Sequence, residues 1–285
     1  MKKLTLLLLV TLLCCAIFAG SLDLDAFYDV QMDDYLIYAI NNNGQLYVVS
    51  GDRWEKDGSP CPGSGPYALS AFYDSVDDAW IVLALDNRGQ LYVSGATEWT
   101  DTGISLDGKA PYDFEGFFDP ELNDYLFYAI DATGQLYVLS GDEWVEDGSP
   151  CPGAGGYKLS TIYNAIHDDW LVVTVDRSGA VFISGAEEWA PYSKVSGSSP
   201  YEVAIFLDSK EEAFIMFTLD DSGQLYLDQG GESWAPVGGK LSAPSPYNLT
   251  AFYEPDLDEW MILGIDADGA LYINNGEWAK AVDGF

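Results

Sequence analysis

Six times along the chain an aromatic residue stands beside carboxylates: Tyr35, Trp80, Tyr125, Trp170, Phe214 and Trp260, each nine residues ahead of a glycine. Asp33, Asp78, Asp168 and Asp258 are among the acids that flank them. An aromatic face rimmed by carboxylates is what a sugar site uses, an apolar platform for the ring's C–H groups with acceptors for its hydroxyls. Tyr35, Trp80, Tyr125, Trp170 and Trp260, with Asp33, Asp78, Asp168 and Asp258, are therefore the candidate ligand-binding residues. The first residue of a well-packed strand looks the same, and a core role is the simpler reading. Asp256, Asp258, Asp266 and Asp268 cluster oxygen ligands of the kind that hard cations such as calcium take. No stretch reproduces a recognised calcium loop, so possible calcium rests on charge density alone, and no other cofactor is expected.

Catalysis finds little to work with. The single histidine, His167, lies in an acidic run beside Asp168 and Asp169 and reads as a solvated turn residue. No Ser/His/Asp or Cys/His set can be assembled around it. A glycosidase needs only two suitably spaced carboxylates, and 46 acids are too many for the count to discriminate. A non-catalytic protein is expected.

These residues recur because the chain does. D/N-x-x-G followed by a hydrophobic–aromatic pair appears at Gly44, Gly89, Gly134, Gly179, Gly223 and Gly269, spaced 45, 45, 45, 44 and 46 residues apart. A tryptophan follows each: Trp54, Trp99, Trp144, Trp189, Trp234 and Trp278. Units of this period holding several short strands indicate an all-β, six-bladed β-propeller with four antiparallel strands per blade. In the second unit, Leu69–Asp74 reads as the inner strand A. Trp80–Leu85 is an apolar strand B covered on both faces. Asp86–Gly89 is a hairpin turn, Gln90–Ser94 is strand C, and Trp99 opens a polar outer strand D. The recurring tryptophans read as wedges between blades. Blades are expected at roughly 21–69, 70–114, 115–159, 160–203, 204–249 and 250–285, in one domain over 21–285. The ring should close by packing of blade 1 against blade 6 without a shared blade.

In such a ring the A–B and C–D turns share one face of the disc. They hold 26 of the 46 acids against Arg53 and Lys210, which would give that face a formal charge near −24. Acidity in turns also serves solubility. Arg53 falls on the opposite face from Arg88 and Arg177, so the arginine triad used by six-bladed sialidases cannot form, and the S-x-D-x-G-x-x-W box of that family is missing.

Residues 1–20 read as a secretory signal peptide: Lys2 and Lys3, the apolar run Leu4–Phe18, then small residues for cleavage. Lipidation at Cys14 or Cys15 is the alternative. Removing Lys2 and Lys3 takes the formal charge from −34 to −36. A chain this acidic repels phosphate backbones and anionic headgroups, which excludes nucleic acid and anionic membrane surfaces as partners. Cys61 and Cys151 stand in matching GSPCPG loops of units 1 and 3, too far apart in a six-fold ring to bridge, and read as inherited loop residues. Asn248-Leu249-Thr250 is a glycosylation sequon.

The strings NNNGQLYVVSGDRW, DNRGQLYVSGATEW and DATGQLYVLSGDEW resemble the tectonin/tachylectin-type propeller repeat, in the second half of every unit. The units here are longer, and their first halves depart from that pattern. The resemblance implies a secreted recognition protein for glycans or other cell-surface polymers. Repeated sites on a ring would make binding multivalent, with a neutral or cationic polymer as partner. A structural or protein–protein interaction scaffold with an acidic face is the alternative, and oligomeric state is left open.

Overall fold

A computed structural model describes residues 22–285, apart from residues 30, 31, 33, 75, 96, 120, 121, 123, 165–168, 186, 187, 209, 232 and 255–257. Twenty-four strands among the described residues form six separate four-stranded antiparallel meanders. The inner strands are Asp23–Asp29, Ala68–Asp74, Asp113–Asp119, Lys158–Asn164, Tyr201–Asp208 and Asn248–Glu254. Each packs beside the next, and the last packs beside the first, closing a six-bladed propeller. In blade 2 the remaining strands are Ala79–Leu85, Gln90–Ser94 and Trp99–Ser105.

Strand B of this blade ends in the buried run Val82, Leu83, Ala84 and Leu85, sandwiched between neighbouring blades. The turn after it is made by Asp86, whose Oδ1 accepts the amides of Arg88 and Gln90. Gly89 has a φ of 82°, and a Cβ there would lie 2.2 Å from the Leu106 carbonyl oxygen, so only glycine fits. The Asp86 Oδ2 reaches back to the connection from blade 1, accepting the Ser64 amide at 2.9 Å. Asp131, Asp176 and Asp220 hold Lys109, Ala154 and Ser198 in the same way.

The amide of Leu106 donates to Gly89, as Cys61 does to Gly44, Cys151 to Gly134, Val195 to Gly179 and Leu241 to Gly223. Cys61 and Cys151 thus fill the buried apolar position that Leu106, Val195 and Leu241 fill elsewhere. Their presence is a packing choice rather than an inheritance of loop sequence alone. The thiols are free, and burial pushes them up to about 11 and about 12.

The six tryptophans wedge each blade against the one before, as expected: Trp99 packs with blade 1, Trp144 with blade 2 and Trp278 with blade 5. At the seam, Trp54 donates to the Gly269 carbonyl at 2.8 Å, and Phe285 stacks on Tyr47 at 3.8 Å between ring centroids. No strand is shared between the two ends of the chain.

Two expectations need correction. Asn248 of the sequon is buried at this seam, donating to Asp23, so it is not free to carry a glycan in the folded ring. Asp29, Asp74, Asp119, Asp208 and Glu254, counted with the acidic face, are buried at the ends of the inner strands. The first four spend an oxygen on turn amides, such as those of Val76 and Asp77 on Asp74. A further set of charges lies on the axis instead. An inner strand has one edge of amides with no strand to pair with, and polar side chains of the preceding blade satisfy it. Asp23 accepts from Leu69, Asp25 from Ala71 and Asp113 from Leu159, each at 2.6 Å, with Ser70 accepting from Gly116 and Ser160 from Ile205. Lys158 bridges Asp113 and Glu202 there, at 3.2 and 3.1 Å.

Candidate functional site

The repeated aromatics each stand second in strand B, just past the A–B turn, and Trp80, Tyr125 and Trp260 have their polar atoms committed. The Trp80 indole donates to Asp29 at 2.7 Å, the Tyr125 hydroxyl to Asp74, and the Trp260 indole to Asp208 at 2.8 Å. In each pair the carboxylate ends the inner strand of the preceding blade. The acid beside the aromatic in sequence is therefore not its partner in space. Asp78 and Asp258 occupy the left-handed turn position, with φ of 52° and 57°, and accept from Tyr73 and Tyr253 of their own blades. Asp258 is also ion-paired with Lys210. Asp33, Asp168, Asp256 and His167 lie outside the described residues.

With these three polar edges used, only their ring faces remain. Trp80 and Trp170 are 47% and 43% exposed, whereas Tyr35, Tyr125 and Trp260 are half-buried among interblade aromatics. Arg53 lies at the C–D turn of blade 1, and Arg88 and Arg177 at the B–C turns of blades 2 and 4. Asp266 accepts the amides of Asp268 and Ala270 and the Tyr272 hydroxyl. Among the described residues no group of three or more His, Cys, Asp or Glu side chains is gathered to hold a metal ion.

Trp260 opens onto a cleft. Between blades 5 and 6 a cavity of about 360 Å³ is walled by Phe217, Leu227 and Val237 on one side and by Trp260, Ile262 and Asn274 on the other, with Glu259 at its edge. That volume falls in the range of small-molecule sites. Asn274 is 2% exposed, and its Oδ1 accepts the Gly276 amide at 3.0 Å. Its Nδ2 has no partner, a buried donor that costs stability unless something accepts from it. The corresponding positions of blades 1 and 3, opposite the strand-D tryptophan, are Val49 and Leu139. Blades 2, 4 and 5 place Ser94, Ser184 and Asp228 there, so the amide at this variable position was the sequence signal for this cleft, and repeat-level reading passes over it. The cleft thus offers an aromatic wall, an amide donor and a carboxylate, the means to orient a polyhydroxylated ring. A second concavity on the opposite face, lined by Asn42, Gly65, Pro66, Asn87, Ala110 and Pro111, has no ionisable side chain.

Fold and cleft together define a six-bladed β-propeller with a ligand-sized gap between two blades. No family model matches the sequence, and comparison with curated proteins returns no match either. Solved structures do share the ring. The Aleuria aurantia lectin, described as a six-bladed β-propeller with a novel fucose recognition mode, is 12% identical with a TM-score of 0.62, over 94% of this chain and 97% of that one. The SapL1 lectin, solved with α-methyl fucoside, gives a TM-score of 0.65 at 12% identity over the same shares. AofleA from Arthrobotrys oligospora gives 0.64 at 14% identity, over 92% of this chain and 85% of that one. At such identities the likeness establishes the propeller fold.

Proposed function

We propose that the chain is a secreted, non-catalytic recognition module that binds a glycan in the cleft between blades 5 and 6. The observation that carries this is a cavity whose lining joins Trp260 to Asn274, a buried residue whose Nδ2 has no partner. Trp260 would stack on the apolar face of one sugar, Asn274 would donate to a hydroxyl or ring oxygen, and Glu259 would accept from a hydroxyl. Fucoside-binding propeller lectins among the solved structures of like fold support the ligand class. The apolar leader supports export.

A glycan array probed with residues 21–285 should report binding, with fucosylated glycans as the first ligands to examine. Asn274→Val, which installs the blade 1 residue, should weaken the best ligand about tenfold in calorimetry, the loss of one good hydrogen bond to the ligand. Its melting temperature should stay unchanged or rise. An empty array, or full affinity in Asn274→Val, would remove this reading.

A further inference from the structure

The A–B turns of blades 1, 2 and 3 carry apolar residues at their tips that nothing covers: Met32, Val76 and Leu122 are 50%, 57% and 59% exposed. The turns hold these tips beside aromatic rings. Asp29 accepts the Met32 amide on Oδ1 at 3.1 Å and the Trp80 indole on Oδ2 at 2.7 Å, so one carboxylate fixes the blade 1 tip next to the blade 2 ring. Asp74 does the same one blade on, taking the Val76 amide at 2.8 Å and the Tyr125 hydroxyl. Asp119 accepts the Leu122 amide at 3.1 Å. Met32, Trp80, Val76, Tyr125 and Leu122 therefore follow one another in an arc across three blades. Asp34, Asp77, Asp78 and Asp124 stand exposed within it. The one base among the described turn residues on this face of blades 1–3, Arg53, is already paired with Glu55.

We propose that this arc is a docking surface for a basic polypeptide segment of a partner protein, in which apolar side chains alternate with lysine or arginine. Charge complementarity selects this occupant. A second copy of the chain would bring the same carboxylates face to face, and an anionic bilayer would be repelled. A neutral glycan would cover the rings but leave the aliphatic tips and carboxylates unanswered. The tips sit over the inner strands of blades 1–3 while the cleft lies between blades 5 and 6, so the inference does not rest on glycan binding.

The test uses residues 21–285 and two fluorescein-labelled peptides of equal length and charge, one patterned with leucine and lysine, the other with serine and lysine. At about 0.15 M salt, where long-range attraction is largely screened, fluorescence anisotropy should show the leucine peptide binding at least about tenfold more tightly. The combined variant Met32→Ser, Val76→Ser, Leu122→Ser should lose that preference while keeping the wild-type melting temperature and glycan affinity. Asp77→Asn with Asp124→Asn should weaken both peptides. Equal affinity for the two peptides, or no binding of the leucine peptide, would overturn the proposal. So would an unchanged preference in the triple serine variant, loss of its glycan binding, or a wild-type dimer that the triple variant dissolves.

Discussion

Asp176 shows how much a single side chain does in this repeat. Its Oδ1 accepts the amides of Ser178 and Ala180 and the Ser178 hydroxyl, and its Oδ2 accepts the Ala154 amide at 2.6 Å. Burial alone would raise this carboxyl, but the donors outweigh it and hold it below the usual carboxylate range. Asp176→Ala strands several buried amides at once, and a loss of about 2–4 kcal/mol is expected in chemical denaturation. Asp176→Asn keeps the Oδ1 acceptor and should cost about half as much. The local half of this role was legible, because D-x-x-G predicts an aspartate bonded to its own turn. The Oδ2 bond, made to a residue 22 positions earlier, was not, since no short motif reports a contact between a turn and the connection preceding its blade. Asn274 was missed for the opposite reason. Its position varies from blade to blade among Val, Ser, Leu, Asp and Asn, so no repeat consensus marks it.

At the scale of the strand, the apolar run of strand B and the glycine turn after it were legible from composition and period, and the observed Ala79–Leu85 and Gln90–Ser94 sit where those signals are. The inner strand of blade 2 was legible as an element, read over Leu69–Asp74 and observed over Ala68–Asp74, but the role of the inner-strand acids was not. Alternating acids such as Asp23 and Asp25, or Asp113 and Glu115, ordinarily mark a solvent face, yet here the polar face lines the axis and serves unpaired edge amides. The aromatics just past the A–B turns were legible as positions and ambiguous as roles. The structure shows clasps that tie blades 2, 3 and 6 to a carboxylate of the preceding blade, without excluding the ring faces from contact with a ligand. Trp80→Phe separates the two roles. It keeps a ring on the surface but removes the donor to buried Asp29, so stability should fall by about 1.5–3 kcal/mol, the range for a hydrogen bond to a charged group. An unchanged melting temperature would show that the clasp contributes nothing and that the indole is there for what it meets outside.

Over the whole ring, the placing of acids in the A–B and C–D turns pointed to an acidic disc face, and the structure divides that charge among an exposed face, buried turn caps and the axis. The axis sets the pH response. Burial lifts Asp23 from 3.8 to about 6 despite the attraction of Lys158, and lifts Asp25 to about 7. Burial likewise takes Glu202 from 4.5 to about 8 and pushes Glu115 well above its ordinary value, with Asp25, Asp113 and Asp23 adding to the push. Lys158 answers these charges on the axis, with neutral Ser70, Ser160, Asn248 and Thr250 beside it. A carboxyl raised on folding binds its proton more tightly in the ring than in the unfolded chain. Its contribution to stability is therefore full below about pH 4 and disappears as pH rises through its folded value. Asp74, Asp208 and Asp258 are shifted the other way by their donors, as Asp176 is, and lose their contribution as pH falls below the ordinary range near 4. Stability should peak near pH 4 and decline from there to about pH 8. Exposed acids repel one another too, but they are fully ionised by about pH 5.5 and so add no slope above it. Melting temperatures taken from about pH 2 to 9 at constant ionic strength should show both limbs. Glu115→Gln and Glu202→Gln, which remove the groups with the highest values, should flatten the decline while leaving the acid limb in place. A wild-type profile level between about pH 6 and 8 would mean that solvent along the axis keeps these carboxylates near their ordinary values, and that the ring tolerates five buried negative charges against one lysine.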